Sequence, residues 1–204
     1  MAVSIKRTRI EDLRRTELIG AAHRVFMLHG LDGMTTARIC QAAGMSPGIL
    51  LYYFKGKDDV LFEMVLYNNR LLLQAVVAGL QLASTRQDRL TAIVEGNFPA
   101  HAYEQTVAMA WVSVCAAAAK NPRYAKLQKI FYRRLRSNLG SVFTGIVDSG
   151  RASRIETATG AMIDGLWLRK SAGDPLTRDD AITVILTTIA ALLSDTERFR
   201  LQQP

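Results

Sequence analysis

The sequence predicts an all-α protein, and three observations carry that prediction. Apolar residues recur at helical spacing along almost the whole chain, and no run alternates apolar and polar residues between hairpin turns. Clusters of Gly, Pro and Ser cut the pattern into about nine helices. These are expected to form an N-terminal three-helix unit over residues 1–56 and a larger helical unit over residues 57–204, since 204 residues can supply two modest cores.

The first helix is expected from Glu11 to His29, with Leu18, Ala22, Val25, Phe26 and His29 on one stripe and Gly30 and Gly33 ending it. Thr35 or Thr36 suits the cap of a short second helix through Cys40 and Ala43, because a hydroxyl there accepts from a backbone N–H that the helix leaves unpaired. Gly44 then turns the chain. Ser46 at the cap and Pro47 at the first helical position, where a missing N–H costs nothing, open a third helix that ends near Tyr53. After Gly56, Asp58 and Asp59 place acidic side chains where the helix dipole favours them, and a long helix follows to Leu82. Further breaks are expected at Ser84 to Gln87, Pro99, Asn121-Pro122, Ser149-Gly150 and Gly173 to Pro175. The last two helices are expected over Ala152 to Ala172 and Thr177 to Ser194.

A formal net charge of +8 and a pI near 9.8 favour a polyanionic partner, and suit a membrane surface or simple solubility as well. Cys40 and Cys115 lie inside apolar helical patterns, which speaks for a reduced cytoplasmic setting and against a disulfide framework. Lys6, Arg7 and Arg9 are followed by Glu11, Asp12, Arg14 and Arg15 where a secretion signal needs an apolar core, so none is expected. Ala181 to Leu193 is shorter than the ~20 residues of a bilayer span and reads as a buried helix. His23, His29 and His101 sit in no metal-ligand or triad spacing, and no Gly-rich phosphate loop occurs, so no enzyme, metal or cofactor is expected.

Thr35 to Tyr53 has the form of a helix-turn-helix. Ala42, Ala43 and Gly44 allow its two helices to approach, and Ile39, Met45, Leu50 and Phe54 fall on the buried side. Thr36, Arg38, Ser46, Pro47, Gly48, Tyr52 and Tyr53 point away from that core, beside the cap Thr35 and with Lys57 at the next helix start. Gly48 would let the backbone enter a major groove of duplex DNA, and Arg38 suits a guanine edge or a phosphate. The tyrosine hydroxyls and Lys57 suit phosphates, and Lys6, Arg7 and Arg9 suit a basic arm ahead of the first helix. Each has a plainer reading: Arg38 as a solvated charge, Tyr52 and Tyr53 as ring packing, Thr35 as a cap alone.

The run MTTARICQAAGMSPGILLYYFKGKDDVL, Met34 to Leu61, resembles the N-terminal signature of the TetR family of repressors. AIVEGNF from Ala92, AMAWVSVCA from Ala108, RRLRSNL from Arg133 and AMIDGLWLR from Ala161 resemble the choline-responsive BetI group within it. Two positions depart from the pattern: Leu51 stands where many members have a tyrosine that meets the DNA backbone, and Cys115 where BetI-like chains often have an aromatic residue. The resemblance implies a repressor of glycine-betaine synthesis that responds to choline or a related quaternary ammonium or sulfonium compound. Aromatic faces beside a carboxylate suit such a cation. Asp164 and Trp167 share a helix face, Trp111 lies one turn before Cys115, and Asn97, Phe98, Phe131 and Tyr132 could complete the pocket. Core packing fits Trp111 and Trp167 equally well.

The final two helices carry small and aliphatic residues around too wide an arc for one buried face, so a second copy is expected to cover them. A homodimer of that kind sets two recognition helices about 34–36 Å apart and reads a palindromic operator in double-stranded DNA. The rival is a basic helical scaffold or peripheral membrane protein, suggested by Lys120, Arg123, Lys126, Lys129, Arg133, Arg134 and Arg136. Those charges surround much of one helix, whereas Tyr124, Leu127, Phe131 and Leu135 need a core, so no membrane partner is expected. A TetR-type regulator of an unrelated apolar ligand is the other alternative.

Overall fold

A computed structural model describes residues 2–30 and 33–203, with side chains from Ile10 onward. The described residues form ten helices and no strand. They are α1 (Ala2–His29), α2 (Thr36–Ala43), α3 (Pro47–Tyr53), α4 (Lys57–Leu82), α5 (Arg86–Gly96), α6 (Gln105–Ala118), α7 (Pro122–Phe143), α8 (Ser149–Ser171), α9 (Arg178–Ala191) and α10 (Asp195–Leu201). They gather into two compact units, residues 1–69 and 70–204, and α4 runs unbroken from the first into the second.

In the first unit α1 begins at Ala2 instead of near Glu11, because no Gly or Pro interrupts the chain before Gly20 and its Lys, Arg and Glu residues favour a helix. Lys6, Arg7 and Arg9, expected as an irregular arm, therefore occupy helical positions, and their side chains lie outside the described residues. The buried stripe holds Leu18, Ala22, Val25 and Phe26 but not His29, which is exposed with Leu28 where the chain leaves the helix at Gly30 (φ 65°). Thr35 is the cap of α2, its hydroxyl accepting from the Arg38 N–H at 3.2 Å. Gly44 ends α2 in the left-handed region (φ 63°), and an added Cβ there would meet nothing within 4 Å. Its backbone angle, not a close helix approach, is thus what requires glycine; Ala42 is likewise exposed. Ile39, Met45, Leu50 and Phe54 are buried with Met34, Val60 and Met64. Arg15 ties α1 to α4 by an ion pair with Glu63 at 2.9 Å and lies over the Phe54 ring.

In the second unit the core is built from Leu90, Ile93, Phe98, Leu139, Phe143, Ile163, Ile185 and Ile189. Capping boxes open α5 at Thr85 and Asp88, α9 at Thr177 and Asp180, and α10 at Ser194 and Glu197. The break expected at Ser149-Gly150 falls earlier, at residues 144–148: Gly145 (φ 75°) turns the chain and Asp148 caps α8, so Ser149 and Gly150 begin that helix. The short α10 was hidden from periodicity because it is anchored by the single buried residue Leu201. The basic positions of α7 from Arg123 to Arg136 are exposed while Tyr124 and Leu135 are buried, so that run is the solvated face of a core helix.

By length and composition alone α4 could cross a membrane. Asp58, Asp59 and Glu63 crowd its first turns, however, and Met64, Val65 and Val76 are buried in protein. Two glycines bring α4 and α5 together. A Cβ on Gly96 would lie 2.4 Å from Val76 Cγ2 and 3.2 Å from its Cα, and one on Gly79 would lie 2.8 Å from the Ala92 Cβ. Gly96→Ala is therefore expected to destabilise the protein by about 1–3 kcal/mol, the usual cost of overpacking. Gly20→Ala, whose Cβ meets only the far end of Arg24 at 3.6 Å, is expected to stabilise by about 0.5–1 kcal/mol through helix propensity. Denaturant unfolding followed by circular dichroism checks both signs.

Candidate nucleic-acid interface and ligand cluster

A helix as short as α3 holds its place through one side, and here Leu50 is that side, with Phe54 at the C-cap. The opposite surface is open: Ser46, Pro47, Gly48, Ile49, Leu51 and Tyr52 are exposed, and Tyr53 is half-buried with its ring edge-on to Tyr52 at 4.9 Å. Ser46 sits at the cap position without using its hydroxyl as a cap. Gly48 has an ordinary helical backbone, and an added Cβ would meet only Ser46 Oγ at 3.9 Å. Nothing inside the molecule requires a glycine there, so the space it keeps clear lies outside.

The remaining candidates are held to different degrees. Thr35 spends its hydroxyl on the cap, and Thr36 is half-buried. Arg38 is exposed but donates from Nη1 to the Gly33 carbonyl at 2.9 Å, which aims its guanidinium back along the preceding loop. Lys57 is exposed at the start of α4. Two residues were missed by the sequence reading. Lys55 is exposed beside Lys57, visible in the run FKGKDD, and Glu11 accepts a hydrogen bond from the Tyr52 hydroxyl at 3.3 Å across 41 positions, which no local pattern could show.

In the second unit the proposed ligand residues separate into two groups. The first gathers Trp111 and Cys115 from α6, Phe131 and Tyr132 from α7, and Asp164 from α8. Trp111 lies 5.4 Å from Phe131 and Phe131 5.6 Å from Tyr132, centroid to centroid. The Tyr132 hydroxyl donates to Asp164 Oδ2 at 2.6 Å and accepts from Gln128 Nε2 at 3.4 Å, which adds Gln128, one turn before Tyr132, to the cluster. Asp164 Oδ1 is buried with no hydrogen-bond partner. Burial lifts the Asp164 carboxyl above the usual carboxylate range, and the Tyr132 hydroxyl only partly offsets it. Burial and the nearby carboxylate raise the Tyr132 phenol and push the Cys115 thiol up to about 11.

Asn97, Phe98 and Trp167 form the other group and are all buried. The indole N–H of Trp167 donates to the Asn97 carbonyl at 3.1 Å, and its ring stacks on Phe98 at 5.9 Å with Tyr103 against both. The Asn97 amide donates to the Ile93 carbonyl at 2.7 Å. Although Asp164 and Trp167 are three positions apart, they serve different neighbours. A groove of about 540 Å³, lined by Arg133, Arg136, Ser137, Ala152, Ser153 and Glu156, lies elsewhere along α7 and α8.

Residues 18–64 match the family model for bacterial regulatory proteins of the tetR family, and residues 86–194 match that for the C-terminal domain of BetI-type transcriptional repressors. The chain belongs to the TetR family, with a BetI-type C-terminal domain. A BetI regulator of Brucella canis is 36% identical over 91% of this chain and 94% of its own length, and one from Burkholderia mallei is 33% identical over 91% and 96%. Among solved structures, a transcriptional regulator from Saccharomonospora viridis in complex with choline superposes with a TM-score of 0.75 at 23% identity, covering 86% of this chain and 95% of that one. A TetR regulator from Haloarcula marismortui gives 0.75 at 18% identity, covering 94% and 100%. This BetI-type protein is thus a regulator of transcription and not an enzyme.

Because the folded-state pKa of Asp164 is raised, its ionisation opposes folding: the group favours the fold below the ordinary carboxylate range and loses that contribution as pH rises through the raised value. Asp164→Asn removes the loss. The melting temperature of the unliganded variant minus that of the parent is expected to grow from mildly acidic to neutral pH, and parallel pH profiles would contradict the burial argument.

Proposed function

We propose that this repressor acts as a cytoplasmic homodimer on a palindromic operator, with α3 in the major groove, and that choline or a related small quaternary ammonium or sulfonium compound releases it. The observation that carries the effector reading is Asp164 Oδ1, a carboxylate oxygen kept buried and unpaired beside Tyr132, whose ring continues through Phe131 to Trp111. A bound cation would supply the missing charge, and aromatic faces attract quaternary ammonium groups through the ring quadrupole. The BetI relatives and the choline-bound Saccharomonospora neighbour support the same class. Cys115 contributes bulk but no charge, since its thiol stays protonated at neutral pH.

On the DNA side, Gly48 admits the backbone to the groove, while Tyr52, Tyr53, Lys57 and the added Lys55 meet phosphates. Ser46 and Pro47 lead the helix in, and Thr35, Thr36 and Arg38 flank it from α2. The second copy covers the outer faces of α8 and α9, where Leu168 and Val184 are exposed together with Leu192 at the α9 C-cap. Ligand binding acts through α4, the helix shared by both units, by favouring the state that binds DNA poorly.

Fluorescence anisotropy with DNA from upstream of the chain's own gene tests both halves. Saturating choline is expected to weaken operator binding by about 5- to 150-fold, the span of typical coupling energies. Asp164→Asn is expected to abolish that response while leaving operator affinity intact. Gly48→Ala is expected to weaken operator binding by about tenfold or more without lowering thermal stability. Operator affinity indifferent to choline would remove the effector assignment, and an unimpaired Gly48→Ala would remove α3 from the groove.

A further inference from the structure

The open side of α3 is short of the groups that read most bases. From Pro47 to Tyr53 the helix carries no amide, carboxylate, guanidinium or ammonium group. In a major groove guanine is read chiefly by Arg or Lys, adenine by Asn or Gln, and cytosine by a carboxylate. The hydroxyls of Ser46, Tyr52 and Tyr53 remain, and a hydroxyl, able to donate or accept, suits more than one base edge. Arg38 on α2 is turned to the Gly33 carbonyl at 2.9 Å. What α3 does present is apolar: Ile49 is 39% exposed and Leu51 61%. Each stands one residue from the buried Leu50, so at about 100° per residue the two flank the open strip of Gly48 and Tyr52 from opposite sides.

We propose that Leu51 and Ile49 are specificity-determining residues of the DNA-reading face, selecting thymine by packing against its 5-methyl group. The inference rests on the reading that places α3 in the major groove. There the 5-methyl group of thymine is the apolar feature of the base edges, and a backbone that approaches closely at Gly48 brings both branched side chains down to it. Covering that methyl group removes apolar surface of both partners from water, whereas a base without it offers nothing to cover. Preference gained by burial does not depend on counterion release. It therefore persists as salt weakens the phosphate contacts of Lys55 and Lys57.

The test uses the full chain in anisotropy titrations with a duplex from upstream of its own gene and with a scrambled duplex of equal length. Both are also made with deoxyuridine at every thymidine, which removes the methyl groups and keeps the base pairing. The upstream duplex is expected to bind about three- to fivefold more weakly for each contacted methyl group lost, hence about tenfold or more over two half-sites, at low and moderate salt alike. The scrambled duplex is expected to lose less. The double variant Ile49→Ala, Leu51→Ala is expected to bind the upstream duplex more weakly and to accept its thymidine and deoxyuridine forms equally. If the double variant melts lower, Leu51→Ala alone, at the more exposed position, carries the test and is expected to shrink the thymidine preference. Equal binding of the upstream duplex with and without its methyl groups, or a preference undiminished in the folded variants, overturns the proposal. Failure of the unaltered chain to prefer the upstream duplex over the scrambled one instead overturns the placement of α3 in the groove, and the proposal with it.

Discussion

Seven residues of helix have almost no stability of their own in water, because nucleation costs more than so few hydrogen bonds return. Everything the N-terminal unit presents to a partner depends on how that deficit is met in α3. Leu50 and Phe54 meet it by burial, Pro47 by fixing the first turn, and Phe54 by ending the helix with its own N–H on the Leu50 carbonyl at 2.9 Å. With one side committed so completely, the orientation of the other is no longer free. Ser46, Gly48 and Tyr52 face outward because Leu50 faces inward.

The C-terminal unit solves a different problem, that of keeping polar groups inside an apolar bundle. Around Trp167 the solution lacks one atom: the indole N–H and the Asn97 amide both end on backbone carbonyls and the rings of Phe98 and Tyr103 pack against the indole, but the Tyr103 hydroxyl is buried without a hydrogen-bond partner. Around Asp164 it is half complete, with one oxygen satisfied by Tyr132 and the other left over. Each aromatic group therefore leaves one buried oxygen over, and the two differ in charge: a neutral phenol at Tyr103 and a carboxyl at Asp164, the costlier of the two to bury when ionised.

Much of this was legible in the residues. Thr35, Ser46-Pro47 and Asp58-Asp59 mark helix starts that the structure reproduces, because a capping hydroxyl at Thr35, the fixed backbone of Pro47 and the dipole effect at Asp58 and Asp59 act over one turn and depend on little else. The buried set Ile39, Met45, Leu50 and Phe54 followed from spacing alone. What escaped depends on distance or on weak local signals. Nothing local breaks the helix between Ala2 and Glu11, Asp148 outcompeted Ser149-Gly150 as the start of α8, and one leucine suffices to anchor α10. The separation of Trp167 from Asp164 rests on partners 70 and 32 positions away in the chain, Asn97 and Tyr132, which helical periodicity cannot anticipate.

The crossing of α4 with α5 has a mechanical meaning. At Gly79 and Gly96 the antiparallel helices meet with only the Ala92 methyl and the Val76 side chain between them, leaving a thin layer to absorb displacement. The distal half of α4 is thereby splinted: it can tilt or translate together with α5, but bending there would drive Val76 into backbone. A displacement of either helix at this crossing therefore meets the other helix directly, with little room for local repacking.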